Sequence, residues 1–173
     1  MKKLVLVALL TLTLITQSDA HCEVPCGIYG DRTRIDMLYE HTATIEKAMK
    51  QIAALAGKTD ALSLNQKVRW IVTKEEHAKK VQHIVTQYFM TQRVKPKKAN
   101  YVPQLKHLHG CLLAAMKCKQ TVDAANAKAL RAHIDGFAGV YFDQKDLEHI
   151  RSHHGKHAEA KPAKQAPAKP AKK

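Results

Sequence analysis

Between Asp31 and Tyr141 the apolar residues recur at steps of three and four in four separate runs, the period of a helix face, and no stretch alternates with the period of a strand. The first run spans about Asp31–Ala56 and sets Ile35, Leu38, Thr42, Ile45, Met49, Ile52 and Ala56 on one face, with Gly57 as a stop. The second spans about Asn65–Thr91, with Val68, Ile71, Val72, Ala78, Val81, Val85, Tyr88 and Phe89 as its stripe and Lys74, Glu75, Glu76, Lys79 and Lys80 as a mostly solvated face. The third runs from about Val102 to Lys119 through Leu105, Leu108, Leu112, Ala115 and Met116, with Gly110 a weak point. The fourth, capped by Thr121 or Asp123, carries Ala127, Leu130, Ile134, Phe137 and Tyr141, and its helix extends in principle through "DQKDLEHIRSHH". Apolar content dominated by Ala, Leu, Val and Ile, with only 5% aromatics, favours the same reading. Four amphipathic helices with mostly short connections predict an all-α, antiparallel up-down-up-down four-helix bundle. At 173 residues the chain suffices for one such domain.

The two ends read differently from the body. Met1-Lys2-Lys3 is followed by a largely apolar run from Leu4 to Ile15 and by "TQSDA". That is the layout of a secretory signal cut after Ala20, and the apolar run is too short for an ordinary membrane span. An uncleaved anchor, or a pro-segment removed by a dedicated protease, is the alternative. The expected divisions are 1–20 signal peptide, 21–30 metal hook, 31–150 helical bundle and 151–173 a basic tail rich in His, Lys, Ala and Pro. The tail lacks apolar periodicity and is expected to be disordered. The formal net charge is +14, of which +6 falls in 151–173 and +7 in 21–150. A basic body attracts anions in general.

Cleavage after Ala20 would make His21 the first residue of the mature chain, at the head of "HCEVPCGIYG". A free His21 amine and the Cys22 amide nitrogen then form one five-membered chelate ring, and the same amide with the Cys22 thiolate forms a second. Cys26 can fold back to add another thiolate. Two nitrogens and two sulfurs in a plane suit Ni(II) or Cu(II) better than tetrahedral Zn(II). The His21 imidazole can approach from above as an axial ligand. Thiolates and an anionic amide stabilise the higher oxidation state, which lowers a Ni(III)/Ni(II) couple into a useful range. An internal His21 would remove the amine and with it the site. The spacing alone leaves another reading open, in which Cys22 and Cys26 form a disulfide or are structural.

The same stretch resembles the N-terminal nickel hook of nickel-containing superoxide dismutase, His-Cys-x-x-Pro-Cys-Gly-x-Tyr, with His21, Cys22, Pro25, Cys26, Gly27 and Tyr29 all matching. The resemblance continues through "KEEHA", Tyr88–Phe89 and the fourth-helix pattern, over roughly 21–142. It implies nickel, one ion per subunit, held by the His21 amine and imidazole, the Cys22 amide and thiolate and the Cys26 thiolate. It implies dismutation of superoxide to oxygen and hydrogen peroxide by Ni(III)/Ni(II) cycling. Pro25 would shape the hook's turn, and Tyr29 would close the pocket for the small anion. It further implies a homohexamer. Glu23 stands where the family often has Asp. Allowing a one-residue gap, Asp36 takes the place of the acidic residue that supports the axial imidazole, and His77 falls where an arginine is usual.

Other residues offer weaker signals. Cys111 and Cys118 are seven apart, ~10 Å along one helix, too far for a disulfide in an intact helix. They are expected as buried thiols, as partners between chains, or as a bond across a distorted helix. His149, His153, His154 and His157 could capture a metal loosely, although a solvated tail explains them as well. The tail could touch nucleic acid or an acidic envelope surface, but it lacks aromatic interleaving, so no specific nucleic-acid partner is expected. The expectation is an exported enzyme, periplasmic or extracellular, matured by signal peptidase and without stable membrane insertion. Its alternative is a nickel or copper carrier on the same helices with no turnover. A third reading is a basic, surface-binding helical protein with structural cysteines.

Overall fold

The computed structural model describes residues 30–154, and within them every regular element is helical. These are α1 (Asp31–Ala54), α2 (Ala61–His83) continued by a π-helical segment (Ile84–Arg93), α3 (Tyr101–Gln120), α4 (Ala124–Tyr141) and α5 (Gln144–His154). Residues 1–29, on which the expected signal and hook fall, and residues 155–173, on which the expected tail falls, lie outside the described residues. No described helix is long and apolar enough to cross a membrane.

The four long helices pack in a cycle, α1 on α2, α2 on α3, α3 on α4 and α4 back on α1. Their shared core follows the spacing closely on α1 and α4. Ile35, Leu38, Thr42, Ile45 and Met49 are buried on α1, and Ala127, Leu130, Ile134 and Phe137 on α4. Phe89 sits edge-on to Phe137 at 4.8 Å and to Tyr141 at 5.7 Å, filling the end of the core nearest the start of α1.

The structure differs from the periodic reading at several places. Helix α2 starts at Ala61, not near Asn65, because the Asp60 carboxylate accepts from the Ser63 amide at 2.9 Å and caps it. Val68, Ile71 and Val72 stay outside the core, and the stripe of α2 enters it only from Ala78 onward. Those three, with Leu62 and Leu64, are exposed, because no described element covers the first turns of α2 on that side. On α3 the buried face is centred on Leu108, Cys111, Ala115 and Cys118, while Met116 is exposed and Leu105 and Leu112 only partly buried.

Lys74 is not part of a solvated face. Its side chain is buried, and Nζ donates to the carbonyls of Cys118 (2.7 Å), Lys119 and Thr121 (3.3 Å) and to the Glu75 carboxylate at 3.2 Å. The C-terminal carbonyls of α3 have no partners within the helix, and a cation placed there satisfies them. Gly110 is similarly informative. A Cβ there would stand 2.7 Å from Cγ of His133, and one at Gly136 would collide with the ring of His107. Each glycine is the notch that receives a histidine from the facing helix.

The fourth run does not continue unbroken. Phe142 is extended, and Asp143 starts a new helix by accepting from the Asp146 amide at 2.9 Å. The resulting α5 runs through His154 and packs on α1.

Candidate metal centre and its surroundings

Of the residues singled out from the sequence, His21, Cys22, Pro25, Cys26 and Tyr29 lie outside the described residues. The geometry within reach is that of the ground they attach to, where the chain enters at Gly30.

The first residue of α1 is the meeting point of three elements. Asp31 accepts from the Tyr88 hydroxyl at 2.5 Å, from Arg93 Nη2 at 2.7 Å and from the Tyr141 hydroxyl at 2.7 Å. The π-helical segment makes two of these contacts possible. Residues five apart are 500° apart in an α-helix, roughly 140° around the axis, so Tyr88 and Arg93 would face different ways. Hydrogen bonds from i to i+5 bring them onto one side. Two side chains bond backward over the same five-residue step, Thr91 Oγ1 donating to the Thr86 carbonyl and Gln92 Nε2 to that of Gln87. Burial raises the Asp31 pKa, but the hydrogen bonds from Arg93, Tyr88 and Tyr141 outweigh it and hold the carboxyl below the ordinary value. The Tyr88 phenol is pushed up to about 12 by burial and by the Asp31 carboxylate.

A cavity of about 890 Å³ opens beside this cluster, and Gly30 lines it. Its basic wall is Arg32, Arg93, Lys95 and Lys98. Arg93 is paired with Asp31, and Arg32 lies 3.3 Å from Asp146 at the start of α5.

Asp36 and His77 have separate partners. Asp36 Oδ1 is 2.7 Å from His154 Nε2, and the His154 ring stacks on Tyr39 with centroids 4.5 Å apart. Tyr39 in turn donates to Asp135 at 2.6 Å. His77 Nδ1 is 3.1 Å from His41 Nδ1. One ring must donate there and the other accept, so the pair holds one proton at that contact. Burial lowers the His41 pKa to about 4, helped by His77 and Lys80, and burial with Lys80 also lowers that of His77, against the pull of Glu76. Both rings are therefore neutral near pH 7.

His41 and His154 were not legible as neighbours of this region. His41 is off the apolar stripe of α1, and His154 comes from a helix whose separate start depends on Asp143. Cys111 and Cys118 are free and buried. Burial pushes their thiols up to about 12 and about 11, so both remain protonated and poor metal ligands. That leaves Cys22 and Cys26 as the chain's two other cysteines. Among the described residues no group of three or more His, Cys, Asp or Glu side chains is arranged to hold a metal ion.

A family model described as nickel-containing superoxide dismutase matches residues 16–145. No curated protein and no solved structure matches the chain.

Proposed function

The chain belongs to the nickel-containing superoxide dismutases, and we propose that it assembles its metal site from the residues freed when the bond between Ala20 and His21 is cut. Its cofactor is nickel, and its reaction is the dismutation of superoxide to oxygen and hydrogen peroxide. The match over 16–145, which includes the whole hook, is the observation that carries this reading. It gives no support to a carrier without turnover.

The donor set fits the metal. Two thiolates, an amine, an amide nitrogen and an imidazole from Cys22, Cys26 and His21 are the soft and intermediate donors that nickel takes in preference to magnesium or calcium. Nickel so held supplies a one-electron couple that alternately accepts an electron from superoxide and returns one. The protein's own tasks are to hold the hook, admit the anion and deliver protons. By the family's pattern Pro25 would set the turn that returns Cys26 toward Cys22, and Tyr29 would close the anion pocket and hand on protons through water. Asp31 ties the root of the hook to Tyr88, Arg93 and Tyr141, so the segment leaves from a fixed point. Lys95 and Lys98 in the adjacent cavity draw superoxide toward that point.

Asp36 takes the supporting role toward His21, held in place by His154. His77 shares its Nδ1 with His41, which supports a neutral hydrogen-bonding role in place of the arginine usual in the family. The helices form an up-down-up-down bundle. This is supported by pairs that run in opposite order along α1 and α4 (Asp31 with Tyr141, Tyr39 with Asp135, Glu46 with Arg131) and by reciprocal glycine notches on α3 and α4. Leu62, Leu64, Val68, Ile71 and Val72, exposed on α2, fit burial against other copies in a homohexamer. The enzyme is exported, to the periplasm or beyond the cell.

The test combines three measurements on the mature protein: the N-terminal residue by mass spectrometry, nickel per chain, and superoxide consumption. The expected result is a chain beginning at His21 with one nickel ion, active as isolated and inactive after Cys22→Ser. A mature chain that begins elsewhere would overturn the proposed assembly.

A further inference from the structure

Helix α5 carries a second pair of histidines that the hook does not use. His149 and His153 are four residues apart, one above the other on the same strip of the helix, with ring centroids 4.4 Å apart and planes tilted by 46°. The neighbouring strip, Ile150 and His154, faces the bundle: Ile150 is 2% exposed, and His154 meets Asp36 and Tyr39. His149 and His153 therefore lie beside the packed strip, His149 partly buried and His153 exposed. The nearby carboxylates are engaged elsewhere, Asp146 with Arg32 and Glu148 with Gln144.

We propose that His149 and His153 form a two-nitrogen surface chelate for a borderline divalent cation, and that nickel(II) is the ion it captures. Two imidazoles one helical turn apart converge on a shared metal, the arrangement that places two ligands of H-E-x-x-H metal sites. Imidazole nitrogen is a good donor for nickel, copper and zinc. Two cis nitrogens leave the remaining positions to water, so the ion is held exchangeably, as suits capture and release. Place adds to the argument. Asp146, under one turn before His149, is held by Arg32 near the start of α1, where the hook joins the bundle. The chelate thus lies on the helix that Asp146 and His154 fasten to the first two turns of α1. Choosing nickel rests on the family reading, whereas the chelate itself rests on α5 alone.

The test uses the full mature chain with the hook disabled by His21→Ala, Cys22→Ser and Cys26→Ser, titrated with nickel(II) by calorimetry. One equivalent is expected to disappear when His149→Ala and His153→Ala are added. Either substitution alone should weaken that equivalent by roughly tenfold or more, through loss of one of two donors. Paramagnetic nickel should broaden the backbone amide signals of α5 before those of other helices. His149→Gln with His153→Gln, which keeps a helix-forming side chain at each position, should leave the melting temperature unchanged and abolish the broadening. An unchanged titration in the double variant, or broadening centred on another histidine, would overturn the chelate. Because the hook is disabled throughout, this result is independent of whether the intact protein consumes superoxide. Zinc or copper retained in strong preference to nickel in competition would overturn the choice of ion.

Discussion

Asp31 carries more of the molecule than its place at the first turn of a helix suggests. Two phenols and a guanidinium converge on its two oxygens, and each would lose its hydrogen bond to that carboxylate in Asp31→Ala. We expect that variant to lose about 2–3 kcal/mol of stability, less than the sum of three charged hydrogen bonds because the site is partly open to water, measurable by urea unfolding. The depressed Asp31 pKa fixes the sign of a pH effect. Its contribution is present above the ordinary carboxylate range and is lost as pH falls through the folded value. His41 acts earlier on the same descent. Its folded pKa is lowered to about 4 from 6.5, so the unfolded chain binds more protons between those values. Stability should therefore fall as pH drops from 6.5 toward 4, by about 1 kcal/mol once the ring's partial exposure is allowed for. Melting curves of His41→Gln should lack this part of the slope, and an unaltered slope would show that the His41–His77 contact does not control it.

At the scale of elements, three devices join helices at points where periodicity is silent. The π-helical segment turns Tyr88 and Arg93 to one side, and deleting one residue from Ile84–Arg93 to restore α-helical register should separate them. Loss of Arg93 from Asp31 would then appear as a lower melting temperature that Asp31→Ala lowers further by less than it lowers that of the parent, since only the Tyr141 contact is still there to lose. Lys74 ties α2 to the end of α3, and Lys74→Met should cost about 2–3 kcal/mol by leaving buried carbonyls without a donor. Gly110 is a weak position by helix propensity, worth about 1 kcal/mol against alanine. Its facing His133 reverses the expected sign. Gly110→Ala should destabilise the protein, since Cγ of His133 lies too close to the backbone to yield without a new χ1 rotamer. A rise in melting temperature would show that the histidine moves freely.

For the whole molecule, the exposed apolar run on α2 and the uneven charge set what happens between chains. Leu62, Val68 and Val72 are 70%, 58% and 48% exposed, more apolar surface on one helix than a lone chain needs. Val68→Lys with Val72→Lys should leave each chain folded by circular dichroism but shift the assembly to smaller species in analytical ultracentrifugation. An unchanged mass would place the interface elsewhere. The excess of +7 in residues 21–150 predicts that the superoxide rate falls as salt is added, since steering by that charge is screened over about 10 Å at 0.1 M.

The sequence by itself determined the helical class and the core faces of α1 and α4, and it alone carries the proposal of the hook. Each depends on residues close together in the chain. A helix face repeats every three or four positions, and a chelate built from His21, Cys22 and Cys26 needs only six consecutive residues. Tertiary structure decided what depends on distant partners. It buried Lys74, since the carbonyls it satisfies are more than forty residues away. It left Val68 and Ile71 in solvent, since a stripe says which residues prefer burial and not whether another helix arrives to cover them. It gave Asp36 to His154 and His77 to His41, since each pair joins separate helices whose register is set by packing. Local spacing can specify ligands on one short segment; only the packed helices specify which side chains hold that segment's surroundings in place.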